Sequence, residues 1–115
     1  MSMSQTGPPY RLLTVVVKPF RAAEVLRVLE ITLGPAAMAD CVVREAKGHG
    51  RQKGYLDRYL GSEYSMAFLP KVEISIPVAP EQYENAQQAV VKAARTGRIG
   101  DGKIFLIPSV VTLDI

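Results

Sequence analysis

The sequence is poor in the residues that carry most redox and catalytic chemistry. Its 115 residues include one cysteine, Cys41, and one histidine, His49. A single cysteine excludes an internal disulfide, and a histidine with no partner at motif spacing offers no catalytic constellation. The sequence also lacks a basic-then-apolar leader and any apolar run of about 18 residues, the length that a membrane-spanning helix needs. We therefore expect a soluble, cytoplasmic protein with no direct membrane insertion.

A strong excess of charge of one sign is also missing. Lysine and arginine total 14 against 11 aspartate and glutamate residues, for a net charge of +3. This mild excess favours anionic ligands but falls short of the dense basic face of a nucleic-acid-binding protein, so we expect no nucleic-acid partner. A hydrophobic content of 48% over 115 residues indicates one domain with a single core. Cys41 lies in a strand-like pattern and is interpreted as a small buried hydrophobe.

The start of the chain is predicted to form a strand followed by a helix. Residues 1–9 are polar, contain proline and show no periodicity, so we expect a disordered N-terminal extension. Residues 12–17, LLTVVV, form a short β-branched run typical of a strand buried on both faces. Pro19 ends this strand, and the helix that follows stops at Gly34 and Pro35. The apolar positions of that helix are Ala22, Val25, Leu26 and Leu29.

The rest of the chain contains patterns for three more strands and a second helix. Residues 39–47 indicate a strand, and residues 72–76 alternate apolar and polar side chains as a half-buried strand does. Pro80 opens a helix that Gly97 closes, and residues 104–107 indicate a fourth strand. The tail, VVTLDI, is a candidate for a fifth strand.

The order βαββαβ predicts a ferredoxin-like α+β fold, in which an antiparallel sheet carries both helices on one face. This arrangement leaves the other face of the sheet without cover. Because residues 12–17 are apolar on both sides, we expect that second face to be buried in a self-assembled oligomer.

The connection between the second and third strands, residues 48–69, is far longer than a hairpin needs. Structureless loops beyond about 12 to 15 residues are uncommon in compact domains and are usually functional or disordered. The segment GHGRQKG places glycines beside two cations, and bare backbone N–H groups next to positive charge suit phosphate or carboxylate oxygens. A solvated basic loop without a ligand is the alternative interpretation. The residues concerned are Gly48, Gly50, Arg51, Gln52, Lys53 and Gly54.

A second glycine-rich stretch, TGRIGDGK at residues 96–103, has the spacing of a phosphate-binding P-loop. The match to P-loop NTPases fails because Ile104 follows Lys103, where a Ser or Thr hydroxyl is needed to hold magnesium. The order of elements is also reversed, because here a helix precedes the loop and a strand follows it. We therefore keep an anion-binding interpretation for the glycines and Lys103, with a plain helix-to-strand turn as the alternative.

Five segments together resemble the PII signal-transduction family: VVVKPF, GHGRQKG, GSEY, FLPKVEI and ARTGRIGDGKIF. The resemblance implies one PII-like domain over residues 10–115 that assembles as a homotrimer of ferredoxin-like subunits. It also implies a signalling regulator rather than an enzyme. PII proteins bind ATP or ADP in the clefts between subunits and sense 2-oxoglutarate beside Mg-ATP. They bind a transporter, an enzyme or a regulatory protein through a long T-loop, which here covers about residues 49–69.

The resemblance implies roles for individual residues. The residues implied in nucleotide binding are Gly48, His49, Gly50, Arg51, Gln52, Gly100, Asp101, Gly102 and Lys103. Those implied in binding the effector are Gln52, Lys53, Gly54 and Lys71, and Gln52 is also the implied ligand of Mg²⁺. Tyr64 matches a tyrosine that some members carry as a uridylylation or adenylylation site, and Ser62 matches a serine that others phosphorylate. For both residues the alternative is an unmodified loop hydroxyl.

Two departures from the family pattern define the alternatives. His49 stands where the family usually has an aromatic residue, and the arginine-rich segment RxRTGE that normally follows the fourth strand is not found before Ile115. Without those arginines we expect ATP to be favoured less, with ADP or AMP bound about as well. The first alternative is a divergent PII-like sensor of ADP or AMP and bicarbonate, linked to carbon assimilation or carboxysomes. An alternative of another class is a structural ferredoxin-like trimer without nucleotide sensing.

Overall fold

The computed structural model describes residues 10–49, 68–98 and 100–115. Within these residues the elements follow the order β1, α1, β2, β3, α2, β4. The strands are Tyr10–Val17 (β1), Val42–His49 (β2), Phe68–Val78 (β3) and Gly102–Val110 (β4), and the helices are Pro19–Leu33 (α1) and Pro80–Ala94 (α2). A short 3-10 helix, Ala37–Asp40, connects α1 to β2. The predicted order of elements is confirmed.

The strands form one antiparallel sheet with the order β2-β3-β1-β4. β1 lies in the interior of the sheet, where it pairs with β3 on one side and β4 on the other. The register places Val15 opposite Ile74 on β3 and opposite Ile104 on β4. The helices lie together on one side of this sheet, so the predicted ferredoxin-like α+β fold is confirmed.

The hydrophobic core lies between the sheet and the two helices. Alternate residues of β1 point to the helices, because successive side chains of a strand face opposite sides of a sheet. The buried side chains are Leu13, Val15 and Val17 of β1, Ile74, Ile76 and Val78 of β3, Val25 and Leu29 of α1, and Ala86, Val90, Ala93 and Ala94 of α2. Truncating a large member of this set, such as Leu29→Ala, is expected to cost about 2 to 5 kcal/mol of folding free energy.

Both helices begin at a proline, and the first ends at a glycine, as the sequence predicted. Pro19 and Pro80 occupy the first turn, where a missing N–H costs no helical hydrogen bond. Gly34 follows α1 with φ of 94°, a backbone conformation that favours glycine. The second helix ends at Ala94, earlier than predicted, and Gly97 belongs to the turn that follows it with φ of 85°.

The second predicted strand begins later than expected and ends later. Ala39 and Asp40 belong to the 3-10 helix, and β2 begins only at Val42. Aspartate is disfavoured in strands and favoured in turns, which explains the later start. At the other end, β2 and β3 pair as far as His49 and Phe68, beyond the last residue of β1. The long loop is therefore carried by a two-stranded ribbon.

The ends of the chain and the long loop add no further regular structure to the described residues. β4 extends to Val110, and residues 111–115 form no strand, so the candidate fifth strand does not form in the single chain. The predicted disordered extension, residues 1–9, lies outside the described residues. Most of the predicted loop, residues 50–67, also lies outside them.

The sheet face turned away from the helices, which we call the open face, divides into two ends. Its rows follow from the register, because directly paired residues share a face. From one end to the other, the rows are Glu73–Val16–Lys103, Ser75–Thr14–Phe105 and Pro77–Leu12–Ile107. The open face therefore changes from charged to apolar along β1.

Candidate functional site

The charged end of the open face lies where β1 ends and where β3 and β4 begin. Lys103 of β4 and Glu73 of β3 flank Val16 there. Arg44 of β2 pairs with Glu73 at 3.5 Å. Just beyond this row, Lys18 follows β1 and lies 3.6 Å from a carboxylate oxygen of Asp101. Cations thus outnumber carboxylates at this end of the sheet.

The turn between α2 and β4, residues 96–101, is built around the carboxylate of Asp101. Backbone N–H groups of Thr96 and Gly97 donate to Asp101 Oδ2 at 2.7 and 3.0 Å, and the hydroxyl of Thr96 donates to Oδ1. The N–H of Arg98 donates to the Thr96 hydroxyl at 3.3 Å. One side chain therefore fixes the path of the backbone through the glycine-rich stretch.

These contacts keep Asp101 ionised. The Thr96 hydroxyl contributes most to holding the pKa of Asp101 well below its usual range, and the backbone N–H groups and Lys18 add to the effect. Burial opposes the shift but is the weaker influence. The negative charge of Asp101 is thus balanced by contacts with Lys18 and with the N–H groups of Thr96 and Gly97.

Two glycines shape the end of the turn. Gly100 has φ of 84° and Gly102 has φ of 148°, both in the region that only glycine enters without strain. A Cβ atom on Gly102 would lie 2.3 Å from the backbone oxygen of Val16, so no other residue fits there. The turn is consequently held against the end of β1, with bare backbone around Lys103.

Lys71 reaches this turn from β3. Its ammonium group donates to the backbone oxygen of Gly100 at 3.1 Å. Partial burial lowers the pKa of Lys71, and the neighbouring charge of Lys18 lowers it further. The sequence predicted Lys71 for the effector and residues 100–103 for the nucleotide, and the structure brings these two groups into contact.

The contribution of Lys18 was not predicted from the sequence. The VVVKPF segment marked the end of a strand and contributed to the family resemblance, but no ligand role was assigned to its lysine. Lys18 is half-buried, contacts Asp101 and acts electrostatically on Lys71. The usable signal was its position directly after a buried strand, because residues at strand ends gather at one edge of a sheet.

A cleft lies behind the turn, on the helix side of β4. Its volume is about 390 Å³. The floor is apolar and comes from β1 and α2, while Gln87 and Arg95 lie at its edge together with the turn. The lining residues are Val15, Val17, Gln87, Val90, Val91, Ala94, Arg95, Asp101, Gly102, Lys103 and Ile104. The turn thus separates this cleft from the charged end of the open face.

The first glycine-rich stretch starts at the same end of the sheet. Gly48 and His49 are the last residues of β2, opposite Leu69 and Phe68 of β3. The candidates Gly50, Arg51, Gln52, Lys53, Gly54, Ser62 and Tyr64 lie outside the described residues. The described part of β2 runs toward the charged end of the sheet and ends there at His49.

The apolar end of the open face is exposed in the single chain. Phe105 and Ile107 of β4 are 52% and 48% exposed, and Val42 at the start of β2 is 51% exposed. Between them, the hydroxyls of Thr14 and Ser75 form a hydrogen bond of 2.9 Å. Large apolar side chains grouped on one sheet face usually mark a contact with another chain.

Two other expectations concern membranes and the cysteine. None of the helices formed by the described residues is long and apolar enough to cross a membrane. Cys41 packs against the core, and burial raises the pKa of its thiol. A raised pKa keeps the thiol protonated, in keeping with its interpretation as a small hydrophobe.

Taken together, these features define a ferredoxin-like domain with a basic, glycine-rich edge beside a long loop. Comparison with known proteins assigns the domain to a family. The family model for the nitrogen regulatory protein P-II matches residues 10–112. The chain therefore belongs to the nitrogen regulatory protein P-II family, whose members are signalling regulators.

Individual relatives agree with this assignment. The chain is 46% identical over 96 residues to the nitrogen regulatory protein GlnK of Escherichia coli K12, covering 84% of this chain and 82% of that protein. It is 47% identical over 91 residues to the nitrogen regulatory protein P-II of Mesorhizobium japonicum, covering 79% and 78%. A crystal structure of Arabidopsis thaliana PII bound to citrate matches with a TM-score of 0.65 and 27% identity, over 90% of this chain and 79% of that one.

Proposed function

We propose that this P-II protein binds ATP or ADP, with Mg²⁺, and the effector 2-oxoglutarate at the charged end of the open face. In this proposal the clefts between the subunits of a cytoplasmic homotrimer hold the ligands, and the protein catalyses no reaction. Ligand occupancy changes the T-loop predicted from the sequence at about residues 49–69, through which the protein controls a transporter, an enzyme or another regulator. The single observation that carries the proposal is the contact between Lys71 and the glycine-rich turn.

The nucleotide role is supported by the chemistry of the turn. Glycines at residues 100 and 102 carry no side chain that would screen the backbone from a ligand, and Lys103 adds a positive charge beside them. Because the carboxylate of Asp101 is engaged by Thr96, Gly97 and Lys18, its repulsion of a phosphate is reduced. We assign Asp101 the role of holding the turn, while Gly100, Gly102 and Lys103 contact the phosphates. The proposed ligand of Mg²⁺ is Gln52 alone, and this assignment rests on the family resemblance of the sequence.

The effector role is supported by Lys71 and Lys18. Two ammonium groups close enough to affect one another gain by binding a dianion, which relieves their repulsion. Lys71 already donates to a neutral carbonyl of Gly100, and a carboxylate is the stronger acceptor. The Arabidopsis relative binds citrate, a small polycarboxylate, on the same fold. Lys53 and Gly54 complete the effector set proposed from the sequence.

The trimer is supported by the apolar end of the open face. Phe105, Ile107 and Val42 are each about half exposed in the single chain. Burying the exposed half of one such side chain between subunits stabilises an assembly by about 1 to 1.5 kcal/mol. Three copies that meet through this face would leave the helices outward and bring each glycine-rich turn next to a neighbouring subunit. Tyr64 and Ser62 remain candidate modification sites on the loop.

Calorimetric titration of ATP, ADP and AMP at fixed magnesium and ionic strength tests the nucleotide role. Lys103→Gln is expected to weaken ATP binding by about tenfold or more, because a charge-assisted contact contributes about 1.5 to 3 kcal/mol. Arg11→Gln is the matched control, since it removes one positive charge at the far end of β1, opposite Val78. Equal losses in the two variants, or no nucleotide binding by the unmodified protein, would refute the proposal. Bicarbonate binding in place of 2-oxoglutarate would instead favour the divergent, carbon-linked sensor.

A further inference from the structure

The outer surface of the two helices carries a basic groove that the proposed ligand site does not use. It lies between the N-terminal half of α1 and the C-terminal half of α2 and has a volume of about 460 Å³. We call it the helix groove. Its lining residues are Arg21, Glu24, Arg27 and Val28 of α1 and Ala89, Lys92 and Ala93 of α2.

One cation of the helix groove is already neutralised. The guanidinium of Arg27 donates from Nε and Nη2 to the two carboxylate oxygens of Glu24 at 2.9 and 2.7 Å. This bidentate contact lowers the pKa of Glu24 and raises that of Arg27. Arg21 and Lys92 have no such partner among the residues that the structure describes. Among the described residues, the groove therefore keeps two cations that no carboxylate contacts within ion-pair distance, although Arg21 lies close enough to Glu24 to affect its charge.

The position of Arg21 is unfavourable for the stability of its own helix. It lies in the first turn of α1, where the helix dipole favours carboxylates, and that turn contains no acidic residue. Its Nε atom is buried and has no hydrogen-bond partner within the described part of the chain, although buried polar groups are nearly always paired. Its guanidinium lies 5.6 Å from the ring centre of Phe20, which is 69% exposed. These features indicate that the N–H group of Arg21 Nε is available to an acceptor from another molecule.

The groove also offers apolar surface. Val28, Ala89 and Ala93 line it beside the charged side chains. It lies toward the end of the molecule where α1 follows β1 and α2 leads back to β4. The described parts of β2 and β3 reach this same end at His49 and Phe68.

We propose that the helix groove is a docking surface for an acidic segment of a partner protein. Carboxylates of that segment pair with Arg21 and Lys92, and Arg21 Nε donates to one of their oxygens. Charge complementarity favours an acidic partner, because Arg21 and Lys92 lack a bidentate carboxylate partner among the described residues. Glu24, the one carboxylate among the lining residues, is engaged by Arg27. A partner held by the loop meets this surface at the same end of the molecule. The inference goes beyond nucleotide and effector sensing and does not require it.

Fluorescence anisotropy with a labelled peptide of alternating glutamate and alanine tests the proposal. Arg21→Gln and Lys92→Gln are each expected to weaken peptide binding by about threefold to tenfold, the range for a partly exposed ion pair. Two controls are used. The double variant Glu24→Gln/Arg27→Gln removes the paired groove cation together with its carboxylate, and Arg11→Gln removes a cation outside the groove. Both controls should change the affinity by less than about twofold, because neither removes a groove cation that lacks a bidentate carboxylate partner.

A second measurement separates docking from a structural role. Because Arg21 opposes the dipole of α1, the Tm of Arg21→Gln should equal or exceed that of the unmodified protein. A lower Tm with unchanged peptide affinity would show a structural role and overturn the proposal. So would equal losses of affinity in all four variants, or displacement of the peptide by citrate or inorganic phosphate at equal charge concentration. If Arg21→Gln fails to fold, Lys92→Gln alone decides, since that side chain is exposed.

Discussion

The two ends of the open sheet face have opposite chemistry although the same strands build them. At one end, Lys103, Lys71 and Lys18 gather around a turn whose backbone is uncovered. At the other end, Phe105 and Ile107 expose apolar side chains along β4. The hydroxyl pair of Thr14 and Ser75 lies in the same row as Phe105, next to the charged row of Glu73, Val16 and Lys103.

This difference is the basis for proposing assembly at one end of the face and ligand binding at the other. Apolar side chains gain by leaving water, whereas the charged end requires an anion to offset its cations. β1 lies in the interior of the sheet and contributes to both ends. The predictions below alter one end at a time.

The largest effect is expected for Gly102→Val, which removes the glycine on which the turn closes. Its Cβ would lie 2.3 Å from the oxygen of Val16, and its φ of 148° strains any other residue. We expect a loss of at least about 3 kcal/mol in folding free energy, measured by urea denaturation. Gly97→Ala is the control, since its φ of 85° is strained but nothing lies within 4 Å of the added atom. That variant should lose only about 1 to 2 kcal/mol.

The second prediction concerns the apolar end. Phe105→Asp places a charge where we propose that subunits meet, and a trimer would lose about 1 to 1.5 kcal/mol per subunit from the lost apolar burial alone, because the side chain is already half-buried. We expect light scattering to show monomers at concentrations where the unmodified protein is trimeric. The single chain should still fold, because Phe105 is 52% exposed in it. An unchanged trimer would show that the assembly uses another surface.

A third prediction follows from the pKa of Asp101. Since folding lowers this pKa, the ionised carboxylate stabilises the fold above its unfolded pKa near 3.9, and that contribution is lost as the pH falls through the lower folded value. Asp101→Asn should therefore lower the Tm at pH 7. The difference from the unmodified protein should be constant between pH 5 and 7 and shrink below about pH 4. A difference that grows on acidification would contradict this assignment.

The smallest effect is expected at the boundary between the two ends. Thr14→Val removes the hydroxyl that pairs with Ser75 at 2.9 Å but keeps the shape of the side chain. The loss should be about 0.5 to 1.5 kcal/mol in folding free energy by thermal denaturation. Ser75→Ala in the same background should add little, because the two residues share one hydrogen bond. Additive losses would show that each hydroxyl has a separate partner.

The order of elements could be predicted from the sequence because each pattern was locally consistent. The alternation around Ile74, the prolines at the helix starts and the glycine after α1 each depend on neighbouring residues alone. Strand ends were less predictable, because His49 and Phe68 extend β2 and β3 through pairing with each other. The 3-10 helix at residues 37–40 was missed since its short pattern resembles the start of a strand.

The candidate site shows a similar division. Lys103 and the glycines were proposed because they form a contiguous motif, and Lys71 because of a family resemblance. Lys18 was missed because its contact with Asp101 joins residues far apart in the sequence. The role of Asp101 in building the turn depends on where its carboxylate points, which spacing does not determine. Residues 50–54, named from the sequence for nucleotide and effector, remain predictions because they lie outside the described residues.

The most direct test of the account is the affinity for 2-oxoglutarate, measured by calorimetry with and without Mg-ATP, in the unmodified protein and in Lys71→Gln. The account predicts binding only when Mg-ATP is present, and a loss of about 1.5 to 3 kcal/mol in the variant, the range for a charge-assisted hydrogen bond. Binding without nucleotide, or equal affinities of the two proteins, would contradict the claim that Lys71 links the effector to the glycine-rich turn.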